Sequence, residues 1–236
     1  MLISVFKIVS QDFEGRITYL ASTKVGLKNK FTNDSLNKND KIISKNQFDK
    51  IYKNSIDLKV VLEFNSLISV YKVTNHLSIY DKEKFNLTHI LSGYKAEYYV
   101  KRNILNYESY IYECELFDEC FLIENKIPQW ELSQESKIIG GFLCYKAIIK
   151  NTKSNKILVE SWYTPKIPFQ YGVMNYFGLP GVILEISIDT INIKAIKVEL
   201  NPLEKIIIDE PKNIKKITHE EFEKMKKTTY SMLNKK

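Results

Sequence analysis

The sequence predicts an α+β fold that is mainly antiparallel β, a curved sheet or half-barrel with a short helix near 44–54 and a C-terminal helix near 219–233. Apolar and polar residues alternate over 57–74, as in antiparallel strands that have one face buried and one face exposed to solvent. Segments rich in tyrosine and β-branched residues recur through the rest of the chain, as strands require. A helix-start pattern near the end precedes apolar residues at helical spacing.

The first half of the chain predicts strands around one short helix. Residues 14–23 have strand character, and 44–54 place Phe48 on the inner face of a helix. Residues 57–74 predict a hairpin with its turn at Asn65-Ser66. Further strands are predicted at 98–100, 110–112, 121–123, 130–132, 138–149, 157–163 and 182–200, the last with a turn near Asp189-Thr190.

The C-terminal helix is predicted from a capping box. Thr218 can accept a hydrogen bond from the backbone N–H of Glu221, whose carboxylate can reach back to the start of the helix. Phe222, Met225 and Met232 follow at helical spacing, which indicates an amphipathic helix that packs on the sheet.

The chain predicts a single β-rich domain over residues 11–236, because no linker or repeat divides it. Residues 1–10 are apolar but lack a basic start, and Lys7 interrupts the run. They fit either the remnant of a truncated signal peptide or a first β-strand. No segment approaches the roughly 20 apolar residues of a membrane-spanning helix, so no transmembrane segment is expected in the domain.

The basic charge does not predict a nucleic-acid partner. The net charge is +7 over 236 residues, but lysines are spread along the chain among acidic residues. Arg16 and Arg102 are the only arginines, although arginine is the residue best suited to bidentate phosphate and base contacts.

Catalytic and metal-binding motifs are absent from the sequence. His76, His89 and His219 do not have metal-ligand spacing, so neither a metal site nor a cofactor is predicted. Cys144, paired with His76 or His89, supplies an alternative hypothesis, a thiol enzyme or hydrolase. Its strand-like surroundings favour a buried, unreactive thiol.

The other two cysteines, Cys114 and Cys120, bracket an acidic segment of five residues. If this segment is a tight hairpin, the two side chains can meet the distance limit for a disulfide. Alternatively, they are two small buried apolar residues.

The segment 162–181 is the strongest candidate for a binding surface. It combines aromatic residues with prolines that restrict the backbone, and Pro180-Gly181 fits the centre of a type II turn. The alternative is that the rings plug one end of the sheet. The predicted binding residues are Trp162, Tyr163, Pro168, Tyr171, Gly172, Gly178, Pro180 and Gly181.

The same region resembles a known family. The segment GLPGVI at 178–183 is similar to the signature of the GLPGLI family, and WYTP at 162–165 with the later Ile167-Pro168 and Gly172 matches its upstream stretch. Val173 stands where that family has proline. Three shorter matches, WEL at 130–132, KIIG at 137–140 and CYKA at 144–147, follow the family's order and spacing.

The resemblance implies a secreted bacterial envelope protein, periplasmic or extracellular, often encoded near outer-membrane TonB-dependent transporters. It supports a truncated signal peptide at 1–10 and supplies no catalytic residues. We therefore predict a non-enzymatic accessory protein that binds such a transporter or its ligand through the loop 162–181. The alternative prediction is an envelope hydrolase or thiol enzyme that uses Cys144 with a histidine.

Overall fold

The computed structural model describes residues 13–23, 55–74, 87–104, 106–117 and 119–233. The helix predicted near 44–54 and the apolar segment 1–10 lie outside them. The strands are β1 Gly15–Thr23, β2 Leu58–Phe64, β3 Ile68–Val73, β4 Glu97–Arg102, β5 Tyr107–Glu113, β6 Phe121–Asn125, β7 Glu131–Ile139, β8 Phe142–Lys150, β9 Ile157–Thr164, β10 Val182–Ile188, β11 Ile191–Leu200 and β12 Lys215–Ile217. The helices are α1 Leu87–Leu91 and α2 His219–Leu233.

These strands form one open, curved sheet in the order β12-β6-β5-β4-β3-β2-β1-β11-β10-β9-β8-β7. All neighbouring pairs are antiparallel except β12 and β6. Sequential strands are neighbours from β2 to β6 in one half of the sheet and from β7 to β11 in the other. β1 joins the halves by pairing with both β2 and β11. The predicted antiparallel fold class is confirmed.

The predicted hairpin at 57–74 is present as β2 and β3. Asn65 forms its turn, because the side-chain oxygen accepts hydrogen bonds from the backbone N–H groups of Leu67 and Ile68. The predicted turn at Asp189 lies between β10 and β11, and Asp189 takes a positive φ of 40°. The short helix α1 was not predicted, because residues 75–95 show no regular apolar period.

The main core lies on one face of the sheet. Ile17, Tyr19 and Ala21 of β1 all point to this face at the period of two and are fully buried. The segment between β9 and β10, residues 165–181, packs on the same face, and we call it the plug segment. Backbone hydrogen bonds fix it to the start of β10, because the Val182 N–H donates to the carbonyl of Ile167 at 3.1 Å and the Ile183 N–H donates to that of Tyr171 at 3.2 Å.

A smaller core holds α2 against the end of the sheet. Phe222 packs with Phe121, Ile123 and Ile217. The predicted capping box is present, since Thr218 N–H donates to Glu221 and Glu221 N–H donates to the Thr218 hydroxyl. The Thr218 backbone N–H and hydroxyl both donate to the Glu221 carboxylate, and they lower its pKa below the ordinary value. No helix in the described part of the chain is long and apolar enough to span a membrane.

Candidate binding face

The structure places most of the predicted binding residues inside the molecule. Trp162, Tyr163, Tyr171, Gly172 and Gly181 are buried, and Gly178 is half-buried. Pro168 and Pro180 are exposed. The aromatic rings of the plug segment therefore fill the core instead of forming an open contact surface.

The plug segment fits because two of its glycines allow backbone atoms to approach closely. A Cβ atom at Gly172 would lie 2.0 Å from the carbonyl oxygen of Tyr176, and one at Gly181 would lie 2.1 Å from that of Thr164. Gly181 also has a φ of 155°, which favours glycine. The type II turn predicted here does not close, because the Val182 N–H bonds to Ile167 instead of Leu179.

Tyr171 lies at the centre of an aromatic cluster. Its ring stacks on Phe169 with centroids 5.3 Å apart and contacts Phe64 and Tyr107 at 6.0 and 5.9 Å. Its hydroxyl has no hydrogen-bond partner among the described residues, and burial raises the pKa of Tyr171 well above its ordinary value. A buried, un-ionised phenol of this kind serves packing.

Trp162 packs on the opposite face of the sheet, below two lysines. Lys137 Nζ lies 4.2 Å from the ring centroid and Lys146 Nζ lies 5.9 Å away. The indole N–H donates to Glu160, and Lys137 pairs with Glu185 at 2.9 Å. Burial raises the pKa of Glu160, but hydrogen bonds from Trp162 and Lys146 outweigh it and lower the pKa overall. We call this group the lysine–tryptophan ladder.

The other face of the same strands is apolar and open. In an antiparallel pair, opposed residues point to one face, and the registers pair Leu132 with Ala147, Ile138 with Leu143, and Tyr145 with Tyr163. We call this surface the terminal apolar face. Its exposed members are Leu132 (59% exposed), Ile138 (66%) and Leu143 (42%).

A groove of about 840 Å³ lies beside this face, at the ends of β8, β9 and β10. Tyr176 of the plug segment lines it, and the ring of Trp130 lies 6.2 Å from that of Tyr176. Trp130 is held by a hydrogen bond from its indole N–H to the carbonyl of Phe177. The groove's other apolar lining is Ile149, Ile157, Leu158, Val159 and Ile188, and its polar lining is Lys156, Glu160, Ser187 and Asp189.

The terminal apolar face adjoins an open strand edge. β7 is the last strand in the sheet order, and no strand of the described chain pairs with its outer edge. A register shift between Leu132 and Ser136 interrupts its pairing with β8, and 136–139 pair regularly. Regular edge strands beside an apolar face can accept an extended peptide.

The structure places Cys144 in surroundings that do not favour a reactive thiol. Cys144 is fully buried, and burial raises the pKa of its thiol to about 11. His89 lies in α1 with its ring 5.1 Å from that of Tyr94, whereas His219 begins α2 at the surface. His76 lies outside the described residues. Within the described ranges no cluster of histidine, cysteine and carboxylate side chains could hold a metal ion.

In the structure, Cys114 and Cys120 form a disulfide that closes the loop between β5 and β6. Phe117 in this loop packs edge-on against Phe121 and Phe222, with centroids 6.1 and 5.7 Å apart. The disulfide thus fixes a loop that contacts α2.

Sequence reasoning did not single out Trp130 or the terminal apolar face as a site, whereas Tyr176 lies within the predicted binding loop 162–181. A signal was present, because Leu143, Tyr145, Ala147 and Ile149 alternate at the period of two along β8. The alternation marks an apolar face, but the sequence does not show that other elements leave part of this face uncovered.

Comparison with known proteins identifies a family match over part of the chain. Residues 150–185 match the model of a family described as "Protein of unknown function (Porph_ging)". This range contains β9, the plug segment and the start of β10. No curated protein matches the chain.

The fold is similar to that of solved structures of PNGF-II. A structure in a C2 space group is 15% identical over 90% of this chain, with a TM-score of 0.54. A second, in space group P21, is 14% identical over 91% of this chain, with a TM-score of 0.53. The chain spans about a third of the length of these structures, 32% and 33%. At such identities the likeness concerns the fold alone.

Proposed function

We propose that this chain is a non-enzymatic binding protein of the cell envelope and that its partner docks on the terminal apolar face. The observation that carries the proposal is the contrast between the two faces of β7, β8 and β9. One face is closed by the ion-paired lysine–tryptophan ladder. The other exposes aliphatic side chains in register beside a free strand edge.

The proposed occupant is an extended segment of a partner protein that adds to the edge of β7. Its backbone would bond to residues 136–139, where the strand is regular, and its alternate side chains would cover Ile138 and Leu143. Trp130 and Tyr176 offer aromatic surface at the end of this path. The contribution of the plug segment to binding is then Tyr176, while its other rings support the sheet from within.

The proposed location and partner class rest on two further observations. A disulfide such as Cys114–Cys120 is typical of proteins in oxidising compartments outside the cytoplasm. The motif at 178–183 resembles the signature of the GLPGLI family, which favours the envelope and an outer-membrane TonB-dependent transporter, or the ligand it carries, as partner.

The alternative thiol enzyme has weaker support. A cysteine nucleophile needs an accessible thiolate, usually with a lowered pKa. Cys144 is buried, and its thiol has a pKa raised to about 11.

In-cell crosslinking of the full chain, followed by mass spectrometry, tests the proposal. We expect an outer-membrane transporter to be recovered with the unmodified chain and its recovery to fall about tenfold in Ile138→Ser and in Leu132→Ser, since each change removes apolar contact area. Ile207→Ser is the matched control, because Ile207 is also exposed but lies outside this face. Equal recovery from all variants, or no transporter with the unmodified chain, would contradict the proposal.

A further inference from the structure

Two neighbouring hairpin tips project apolar side chains from the other half of the sheet. Leu67, at the β2–β3 turn, is 65% exposed, and Ile104, at the β4–β5 turn, is fully exposed. A hydrogen bond from Arg102 N–H to the Leu67 carbonyl, 2.7 Å long, joins the two turns. In the sheet order, β2, β1, β11 and β10 separate β3 from β9, so these tips lie apart from the terminal apolar face.

The chemistry of the second tip departs from that of ordinary hairpin turns. Tight hairpin turns favour asparagine, aspartate and glycine at their central positions. Here the turn is closed by the Asn103 N–H, which bonds to Asn106, and the sequence between them is Ile-Leu. A fully exposed isoleucine contributes nothing to the core, so folding does not account for its presence. Departures of this kind from local rules concentrate at functional sites.

Between the two tips lies a concavity of about 850 Å³, and the positively charged side chain of Arg102 is exposed in it. It is lined by Ser66, Leu67, Arg102, Asn103, Ile104 and Asn106. Arg102 lies 5.9 Å from the ring of Phe169, which gives its side chain a fixed support. Glu108, a carboxylate near this surface, accepts hydrogen bonds from Asn103 and Tyr110. The concavity therefore offers a guanidinium and amide groups, flanked by two aliphatic tips.

We propose that the two hairpin tips dock on an anionic phospholipid surface, with Leu67 and Ile104 in the acyl boundary and Arg102 against a headgroup phosphate. Two aliphatic side chains are far below the roughly 800 Å² per partner of a stable protein interface. A bilayer requires no complementary surface and accepts single aliphatic side chains in its interfacial region. The guanidinium matches the phosphate, and the net charge of +7 adds attraction to anionic lipid.

Co-sedimentation of the full chain with lipid vesicles tests this proposal. We expect binding to vesicles of phosphatidylglycerol mixed with phosphatidylcholine, and about tenfold weaker binding for Ile104→Ser and Leu67→Ser. Arg102→Gln should lower the preference over pure phosphatidylcholine about fivefold, the effect of one interfacial cation. Ile196→Ser, an exposed isoleucine on β11, is the matched control and should bind as the unmodified chain does.

The outcomes separate this proposal from the proposed function. Ile138→Ser should retain vesicle binding, and Ile104→Ser should retain recovery of the partner protein. The lipid proposal is overturned if the unmodified chain does not sediment with anionic vesicles, or if Ile104→Ser binds them equally well. It is also overturned if Ile104→Ser loses a protein crosslink while vesicle binding is unchanged, because the tips would then contact protein.

Discussion

At the scale of single residues, the strand pleat gives two neighbouring aromatic residues different roles. Trp162 and Tyr163 are consecutive in β9, so their side chains point to opposite faces. Tyr163 packs with Tyr145, with centroids 6.3 Å apart, whereas Trp162 lies under Lys137 and Lys146 in the ladder. Both are buried, but Trp162 is covered by charged side chains that also form ion pairs.

Trp162→Ala should lower the free energy of unfolding by about 3 kcal/mol, because it removes a large buried side chain and leaves a cavity below two lysines. Trp162→Phe keeps an aromatic ring below the lysines, so it should lower the free energy of unfolding by clearly less than Trp162→Ala does. Chemical denaturation of both variants measures the difference. A loss below about 1 kcal/mol for Trp162→Ala would show that the ladder does not stabilise the sheet.

At the scale of elements, the β5–β6 connection depends on a covalent bond. The disulfide joins two cysteines six residues apart, and Phe117 between them contacts both the sheet and α2. A closed loop of this length restricts the unfolded chain and orders the loop that packs against the helix.

Replacing both Cys114 and Cys120 by serine should lower the free energy of unfolding by about 2 kcal/mol, the effect of closing so short a loop. Denaturation with and without a reducing agent measures the same quantity in the unmodified chain. Cys144→Ser is the control, because that variant keeps the disulfide and should remain sensitive to reductant. Identical unfolding curves with and without reductant would disprove the prediction.

At the scale of the whole molecule, the free thiol reports on global unfolding. Cys144 of β8 is fully buried among the hydrophobic residues of the sheet. Because burial holds its pKa near 11, above the ordinary 9.0, the thiol stays protonated in the folded state at neutral pH. Ionisation therefore opposes folding as the pH rises from about 9 through 11.

At pH 8, Cys144 should react with an aromatic disulfide reagent only when the domain opens, so the labelling rate should follow denaturant concentration as global stability does. The Cys114→Ser/Cys120→Ser variant makes Cys144 the only thiol and gives an unambiguous signal. Labelling at the rate of a free thiol in native buffer would mean that Cys144 is accessible, and would restore the thiol-enzyme hypothesis.

The sequence by itself determined the antiparallel strands, the Asn65 turn and the capping box at Thr218 and Glu221. Each depends on residues close together in the chain, through the period of two, an Asx turn or a three-residue spacing. The sequence also marked 162–181 as distinctive, because prolines and glycines restrict the backbone locally.

Only the tertiary structure decided which aromatic residues are buried and which apolar face stays open. Tyr171 is a core residue because β2 and β5 bring Phe64 and Tyr107 against it, contacts between segments more than 60 residues apart along the chain. Ile138 is exposed because β7 ends the sheet order. Burial and edge position depend on long-range strand pairing, which local periodicity does not encode.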